Sequence, residues 1–95
     1  MIVKGKTKSG YSFKIDSRVK DSRDLMRIWT AIQTETDSWK QVDLTNKLAV
    51  LILGSEENVD KLEEKIKEQN DGYCTNTDFW AEINEIIEAL NAKNS

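Results

Sequence analysis

Few residues in this chain could carry covalent or metal chemistry. The chain has 95 residues, one cysteine (Cys74) and no histidine. A single thiol makes neither an internal disulfide nor a cysteine-based metal site, and Cys74 has no imidazole to activate it. The absence of histidine also excludes Ser-His-Asp and Cys-His catalysis and removes the commonest zinc ligand. We therefore interpret Cys74 as a small, partly buried hydrophobic residue.

Carboxylates are the remaining candidates for acid–base chemistry. The acids occupy helical positions interleaved with lysines, as in the pairs Glu57–Lys61 and Glu63–Lys67, which is typical of a solvated helix surface. The four glycines are scattered singly, so no glycine-rich phosphate loop is present. An enzyme of this composition would need two acids that converge in a closed pocket. The sequence predicts instead a protein that is not an enzyme and uses no cofactor or metal ion.

Apolar residues at helical spacing are the stronger functional candidates. The last periodic segment carries a broad apolar stripe bordered by Trp80. Such a stripe is ordinary core in one interpretation and a partner-binding face in the other, and Trp80 widens it beyond what a small core needs. Tryptophan is also enriched at binding hot spots, and we expect one of the three to be core and at least one to be partly exposed. The residues predicted to bind a protein partner are Trp80, Ile83, Ile87, Leu90 and Trp39.

Charge is distributed unevenly along the chain. Residues 1–27 carry a net charge of +5 and residues 28–95 a net charge of −8. The basic part suggests a second function, a small phage or bacterial regulator that binds nucleic acid. The residues predicted for that alternative are Lys4, Lys6, Lys14 and Arg18. The strongly acidic remainder disfavours it, and the same asymmetry allows head-to-tail association into a homo-oligomer.

The N-terminal residues have the period of two that predicts a β-hairpin over residues 1–16. Tyr11, Phe13 and Ile15 alternate with polar residues. A two-residue loop would place three lysines on the apolar face, whereas a three-residue loop, Lys8-Ser9-Gly10, matches the faces of the two strands. The three-residue loop therefore predicts that Val3 pairs with Ile15 and Gly5 with Phe13, with lysines on the outer face.

Four helices are predicted over residues 21–92 from apolar periodicity and capping residues. The run over residues 48–53 would suit a buried strand equally, but Gly54 and Ser55 favour a helix end followed by a helix start. Residues 91–95 should fray. The predicted N-caps are Asp21 or Ser22, Asp37 or Ser38, Ser55, and Thr75 or Thr77.

These elements predict a mostly helical α+β fold, with an N-terminal β-hairpin packed on about four α-helices in a single domain over residues 1–95. No apolar run approaches the roughly 18–20 residues that cross a bilayer, so we expect no membrane association. The N-terminus has no apolar stretch of signal-peptide length, so we expect a cytoplasmic protein.

Residues 5–16, Gly-Lys-Thr-Lys-Ser-Gly-Tyr-Ser-Phe-Lys-Ile-Asp, resemble the opening of tail assembly chaperones of long-tailed phages and prophages of Gram-positive bacteria. Three later segments are similar to that family in order: Arg23-Asp24-Leu25, Leu51-Ile52-Leu53-Gly54 and Asp71-Gly72-Tyr73. The resemblance implies a chaperone that coats the tape-measure protein until tail-tube subunits polymerise around it. It also implies a protein of the bacterial host cytoplasm that is absent from the mature virion.

Overall fold

A computed structural model describes residues 1–92 of the chain. It shows a two-stranded antiparallel hairpin followed by four α-helices, which confirms the predicted mostly helical α+β fold. The elements are β1 (Ile2–Lys6), β2 (Ser12–Asp16), a short 3-10 helix (Ser17–Asp21), α1 (Arg23–Thr34), α2 (Ser38–Leu53), α3 (Glu56–Gln69) and α4 (Asn76–Ala92). Of the residues expected to fray, 91 and 92 belong to α4, and 93–95 lie outside the described residues.

The hairpin has the predicted register. Val3 pairs with Ile15 and Gly5 pairs with Phe13, so Val3, Phe13 and Ile15 share the buried face, whereas Ile2 is exposed on the other face. Gly10 closes the three-residue loop at φ +94°, a conformation that glycine adopts cheaply. Phe13 covers Gly5 so closely that a Cβ atom at Gly5 would lie 2.7 Å from the Phe13 ring carbon Cζ.

The helix boundaries follow local capping chemistry. The side chains of Ser22, Asp37 and Ser55 each accept hydrogen bonds from backbone N–H groups in the first turn of α1, α2 and α3. Residues 48–53 are helical, and α2 ends at Leu53, just before Gly54, which takes the left-handed conformation at φ 98°. The predicted helix assignment of this apolar run is therefore confirmed. Ser22 and Asp37 are the caps among their predicted pairs, and the Thr75 hydroxyl accepts the Asp78 N–H at 3.1 Å at the start of α4.

Helix α2 lies at the centre of the fold, where it contacts α1, α3 and β2. Leu48 and Ala49 near its C-terminal end are completely buried. Helix α3 contributes one apolar stripe, and α4 contributes a row of buried residues on one face: Phe79, Ile83, Ile86 and Leu90. Among the helices of residues 1–92, none has both the length and the apolar character needed to cross a bilayer.

The 3-10 helix between β2 and α1 was not predicted from the sequence. Asp16 caps it by accepting the Arg18 N–H at 3.0 Å, and the Arg18 guanidinium binds the same carboxylate at 2.7 Å. The hydrogen bonds from the Arg18 side chain have the largest effect on the pKa of Asp16, and the bond from the Arg18 backbone N–H the next largest. Together they hold this pKa well below its usual range. Because the 3-10 helix joins the hairpin directly to α1, it fixes where α1 starts.

Candidate functional site: an apolar groove between two helices

An open apolar groove of about 360 Å³ lies between α1 and α4. Leu48 and Ile52 of α2, both almost fully buried, form its floor. Helix α1 contributes Leu25, Met26 and Trp29 to the lining. Positions 25, 26 and 29 are neighbours on one side of a helix, so the sequence of α1 alone places these three side chains together. The opposite wall contains Ile87 and Leu90 of α4.

The α1 wall of the groove leaves large apolar side chains in solvent. Met26 is 60% exposed and Trp29 is 38% exposed. The Trp29 ring meets the Trp80 ring edge-on, with centroids 6.1 Å apart and an interplanar angle of 86°. This contact extends the apolar surface from the groove onto α4. Methionine is flexible and polarisable, so this wall can adapt to side chains of different shapes.

The structure brings only some of the predicted binding residues to this groove. Ile87 is half-buried in the α4 wall, and half-buried Trp80 joins it through Trp29. Ile83 and Leu90 were expected to contact a partner, but they are 0% and 1% exposed, so they are core residues. Their side chains point inward because the central row of an amphipathic stripe packs on the rest of the fold. Leu90 lines the groove, but almost none of its side chain is exposed to solvent.

Trp39 lies outside the groove, in the first turn of α2, and is 82% exposed. No tryptophan is buried, so the expectation that one would belong to the core is wrong. The aromatic part of the core comes instead from Tyr11, Phe13 and Phe79. The sequence interpretation also missed the α1 wall. Its signal was Met26 beside the Leu25–Trp29 pair, which makes the apolar stripe of α1 wider than a core contact requires.

Helix α4 is held in position by the hairpin loop. The Glu82 side chain is buried and accepts hydrogen bonds from the Ser9 hydroxyl at 2.5 Å and the Ser9 N–H at 3.3 Å. Glu85 accepts the Lys8 N–H at 2.8 Å. Glu82 is therefore not a solvated helix acid, as its sequence pattern suggested, but an acceptor for buried groups of the loop. These contacts fix the helix that forms one wall of the groove.

The basic residues proposed for nucleic-acid binding lie on the outer face of the hairpin and just after it. Lys4, Lys6 and Lys14 are exposed, and Lys4 lies directly opposite Lys14. Tyr11 and Phe13 are buried on the other face, so neither ring is available to stack on a base. Arg18 is exposed but bound to Asp16. Considering residues 1–92, the site thus provides three lysines that form no ion pair and have neither Tyr11 nor Phe13 as an aromatic platform.

Cys74 is half-buried beside the core, as expected from the sequence. Burial raises the pKa of its thiol, and the nearby carboxylates of Glu63 and Asp78 raise it further. A thiol in these surroundings is a poor nucleophile, because the thiolate is the reactive form. Within residues 1–92, no three cysteine or carboxylate side chains are close enough to hold a metal ion.

Three comparisons with known proteins were negative. No protein-family model, no curated protein and no solved structure matches this chain. The groove and the N-terminal segment over residues 5–16 are therefore the features from which a function is inferred.

Proposed function

We propose that this protein is a non-enzymatic assembly chaperone of phage tails. In this proposal the groove between α1 and α4 holds apolar helical segments of the tape-measure protein until tail-tube subunits assemble around it. The observation that carries the proposal is the exposed apolar wall of Met26 and Trp29 above an apolar floor. The resemblance of residues 5–16 to tail assembly chaperones supplies the class of client.

The shape of the groove suits a helix better than an extended strand. Two helices form its walls and a third forms its floor, so a docked amphipathic helix would add one more helix to the bundle and cover Met26 and Trp29. One such contact is small and need not be tight. A long client that offers many segments would bind many copies, and multivalent coating makes weak single contacts sufficient. The proposed site of action is the cytoplasm of the bacterial host, with no copy retained in the mature virion.

Coexpression with a fragment of the tape-measure protein from the same phage or prophage tests this proposal. We expect the wild-type chain to keep the fragment soluble and to co-purify with it. Met26→Asp places a charge on the exposed wall and should reduce capture at least about tenfold, the effect of losing roughly 1.4 kcal/mol of binding free energy. Tyr73→Ala is the matched control, because Tyr73 is exposed but outside the groove lining. Equal capture by wild type and Met26→Asp would overturn the proposal.

A second candidate function is nucleic-acid binding by the outer face of the hairpin. Within residues 1–92, Lys4, Lys6 and Lys14 have no ion-pair partner. Lys4 and Lys14 lie directly opposite each other, so their like charges repel unless an anion lies nearby. A shift of labelled DNA at micromolar protein that weakens with salt and is lost in Lys4→Glu would favour this candidate. The same chain would then leave the tape-measure fragment insoluble.

A further inference from the structure

Among residues 1–92, the groove lining contains one charged side chain, that of Lys20 in the 3-10 helix. Lys20 is half-buried, and its side chain has no hydrogen-bond or ion-pair partner in the part of the chain that the structure describes. The nearest acids in sequence do not neutralise it. Asp24 lines a different depression, together with Arg27 and Ile28, and the exposed side chain of Asp21 forms no ion pair with the ammonium group of Lys20.

The position of Lys20 along the groove follows from the chain order. The 3-10 helix ends at Asp21 and α1 starts at Arg23, so Lys20 lies at the end of the groove beside the start of α1. Trp29 is in the second turn of α1 and therefore lies further along the same wall. The groove thus has a basic end and an apolar stretch, and its two directions are not equivalent for a docked helix.

We propose that the groove selects client helices by charge as well as by apolar surface. The preferred occupant is an amphipathic helix that carries an aspartate or glutamate at one end of its apolar stripe, where it meets Lys20. This inference rests on the proposed function, because it assumes that a helix occupies the groove. It adds a rule for which segments of a client are bound and in which direction.

The physical reason is the cost of covering an unpaired ammonium group. A docked helix would remove water from Lys20, and a desolvated charge is costly unless an opposite charge is close. A client carboxylate supplies that charge, whereas a client lysine at the same position adds repulsion. The affinities of these two clients should therefore differ from each other more than either differs from that of a client with a neutral residue. The methylene stem of Lys20 contributes apolar contact in every case.

Two designed peptides test the proposal with the full chain. Each has about 18 residues, roughly 27 Å of helix, with the same leucine stripe, and the two differ in one residue at the end of the stripe, Glu or Lys. Fluorescein anisotropy measures their dissociation constants at low and high salt. We expect the Glu peptide to bind about fivefold to tenfold more tightly at low salt, with a smaller ratio at high salt because ions screen partly exposed charges.

Substitutions at Lys20 assign the effect to one residue. Lys20→Glu should reverse the preference, so that the Lys peptide binds more tightly, and Lys20→Met should make the two affinities equal while retaining the stem. Lys14→Glu is the matched control: it makes the same charge change on the outer face of the hairpin, and the peptide ratio should stay as in wild type. If Lys20→Glu does not fold, as judged by its thermal transition, Lys20→Met alone carries the test.

The outcomes separate this inference from the proposed function. If both peptides bind wild type with equal affinity, charge selection is overturned and groove binding stands. If neither peptide binds, helix docking in the groove is overturned and this inference falls with it. A ratio that Lys14→Glu changes as much as Lys20→Glu would show an effect of net charge alone, which also overturns selection by Lys20.

Discussion

The Ser9 hydroxyl donates a 2.5 Å hydrogen bond to the Glu82 carboxylate, which joins the hairpin loop to the second turn of α4 across 73 residues of sequence. Both residues are buried, and the Ser9 N–H donates to the same carboxylate. Buried donors that share one acceptor tie their segments together, because leaving such donors unpaired costs free energy. The pair therefore connects the N-terminal hairpin to the helix that forms one wall of the groove.

Glu82→Ala should be much more destabilising than Glu85→Ala. Removing Glu82 leaves the buried Ser9 N–H without its acceptor and the Ser9 hydroxyl with only its 3.2 Å contact to the Thr7 hydroxyl, which costs about 2–3 kcal/mol, whereas Glu85 is exposed and its loss costs about 1 kcal/mol or less. Urea denaturation followed by far-UV circular dichroism measures both free energies of unfolding. Equal losses in the two variants would show that the buried acceptor has no special role.

Gly5→Ala should destabilise the hairpin by overpacking. The added methyl group would lie 2.7 Å from the Phe13 ring, and extra volume in a packed contact costs about 1–3 kcal/mol. Phe13→Leu removes the edge of the ring that the methyl group would meet. The double variant should therefore lose less stability than the sum of the two single variants, as a double-mutant cycle of thermal unfolding measures. Additive losses would contradict direct contact.

Asp16→Asn should lower the melting temperature in a pH-dependent manner. The pKa of Asp16 is held below its usual range, chiefly by side-chain hydrogen bonds from Arg18. A carboxyl group with a lowered folded-state pKa stabilises the fold above its ordinary pKa of about 3.9, and that contribution is lost as the pH falls below this value toward the folded-state pKa. The difference between wild type and Asp16→Asn should thus be full at pH 7 and 5 and should shrink below about pH 4. A difference that grows in acid would contradict the pairing, and Asp21→Asn serves as the control.

Cys74 should react slowly with iodoacetamide at neutral pH. Burial raises the pKa of its thiol, so the midpoint of its rate profile should lie above the value of about 8.5 for a free cysteine. The same chain unfolded in urea provides the control, and its midpoint should return to the free value. A midpoint at or below the free value in the folded protein would show that the thiol is accessible and activated.

Trp39→Ala should leave the fold intact and distinguish client contacts in the groove from a client contact at Trp39. Because Trp39 is 82% exposed, its loss should change the free energy of unfolding by no more than about 0.5 kcal/mol. Peptides that occupy only the groove should bind this variant as they bind wild type. Capture of the longer tape-measure fragment should fall if Trp39 is a second contact, as the sequence predicts; unchanged capture would remove Trp39 from the binding surface.

The parts of the fold that depend on near neighbours could be predicted from the sequence. The hairpin register follows from alternation plus one glycine at the loop, and the helix starts follow from Ser22, Asp37 and Ser55, whose side chains reach only three residues ahead. The 3-10 helix was missed because five residues with a tighter turn have too few apolar positions to show a period. Its signal was Asp16, an N-cap residue at the last position of β2.

The groove depends on positions that sequence spacing does not determine. Helical periodicity identified the α4 stripe, but it could not distinguish buried Ile83 from half-buried Ile87, because both lie within one broad stripe. Which member faces outward depends on where α1 and α2 pack. Glu82 is a similar case, since a glutamate on an amphipathic helix has the pattern of a surface residue until a distant loop supplies its donors.

The edge-on pair Trp29–Trp80 gives the molecule an intrinsic optical reporter. Two indoles with centroids 6.1 Å apart are close enough for their excited states to couple, which produces a paired positive and negative band in circular dichroism. Any occupant that moves the Trp29 ring would alter the sign or intensity of this couplet. Occupancy of the groove could therefore be followed in unlabelled protein, and Trp80→Phe would abolish the signal while keeping an aromatic ring against Trp29.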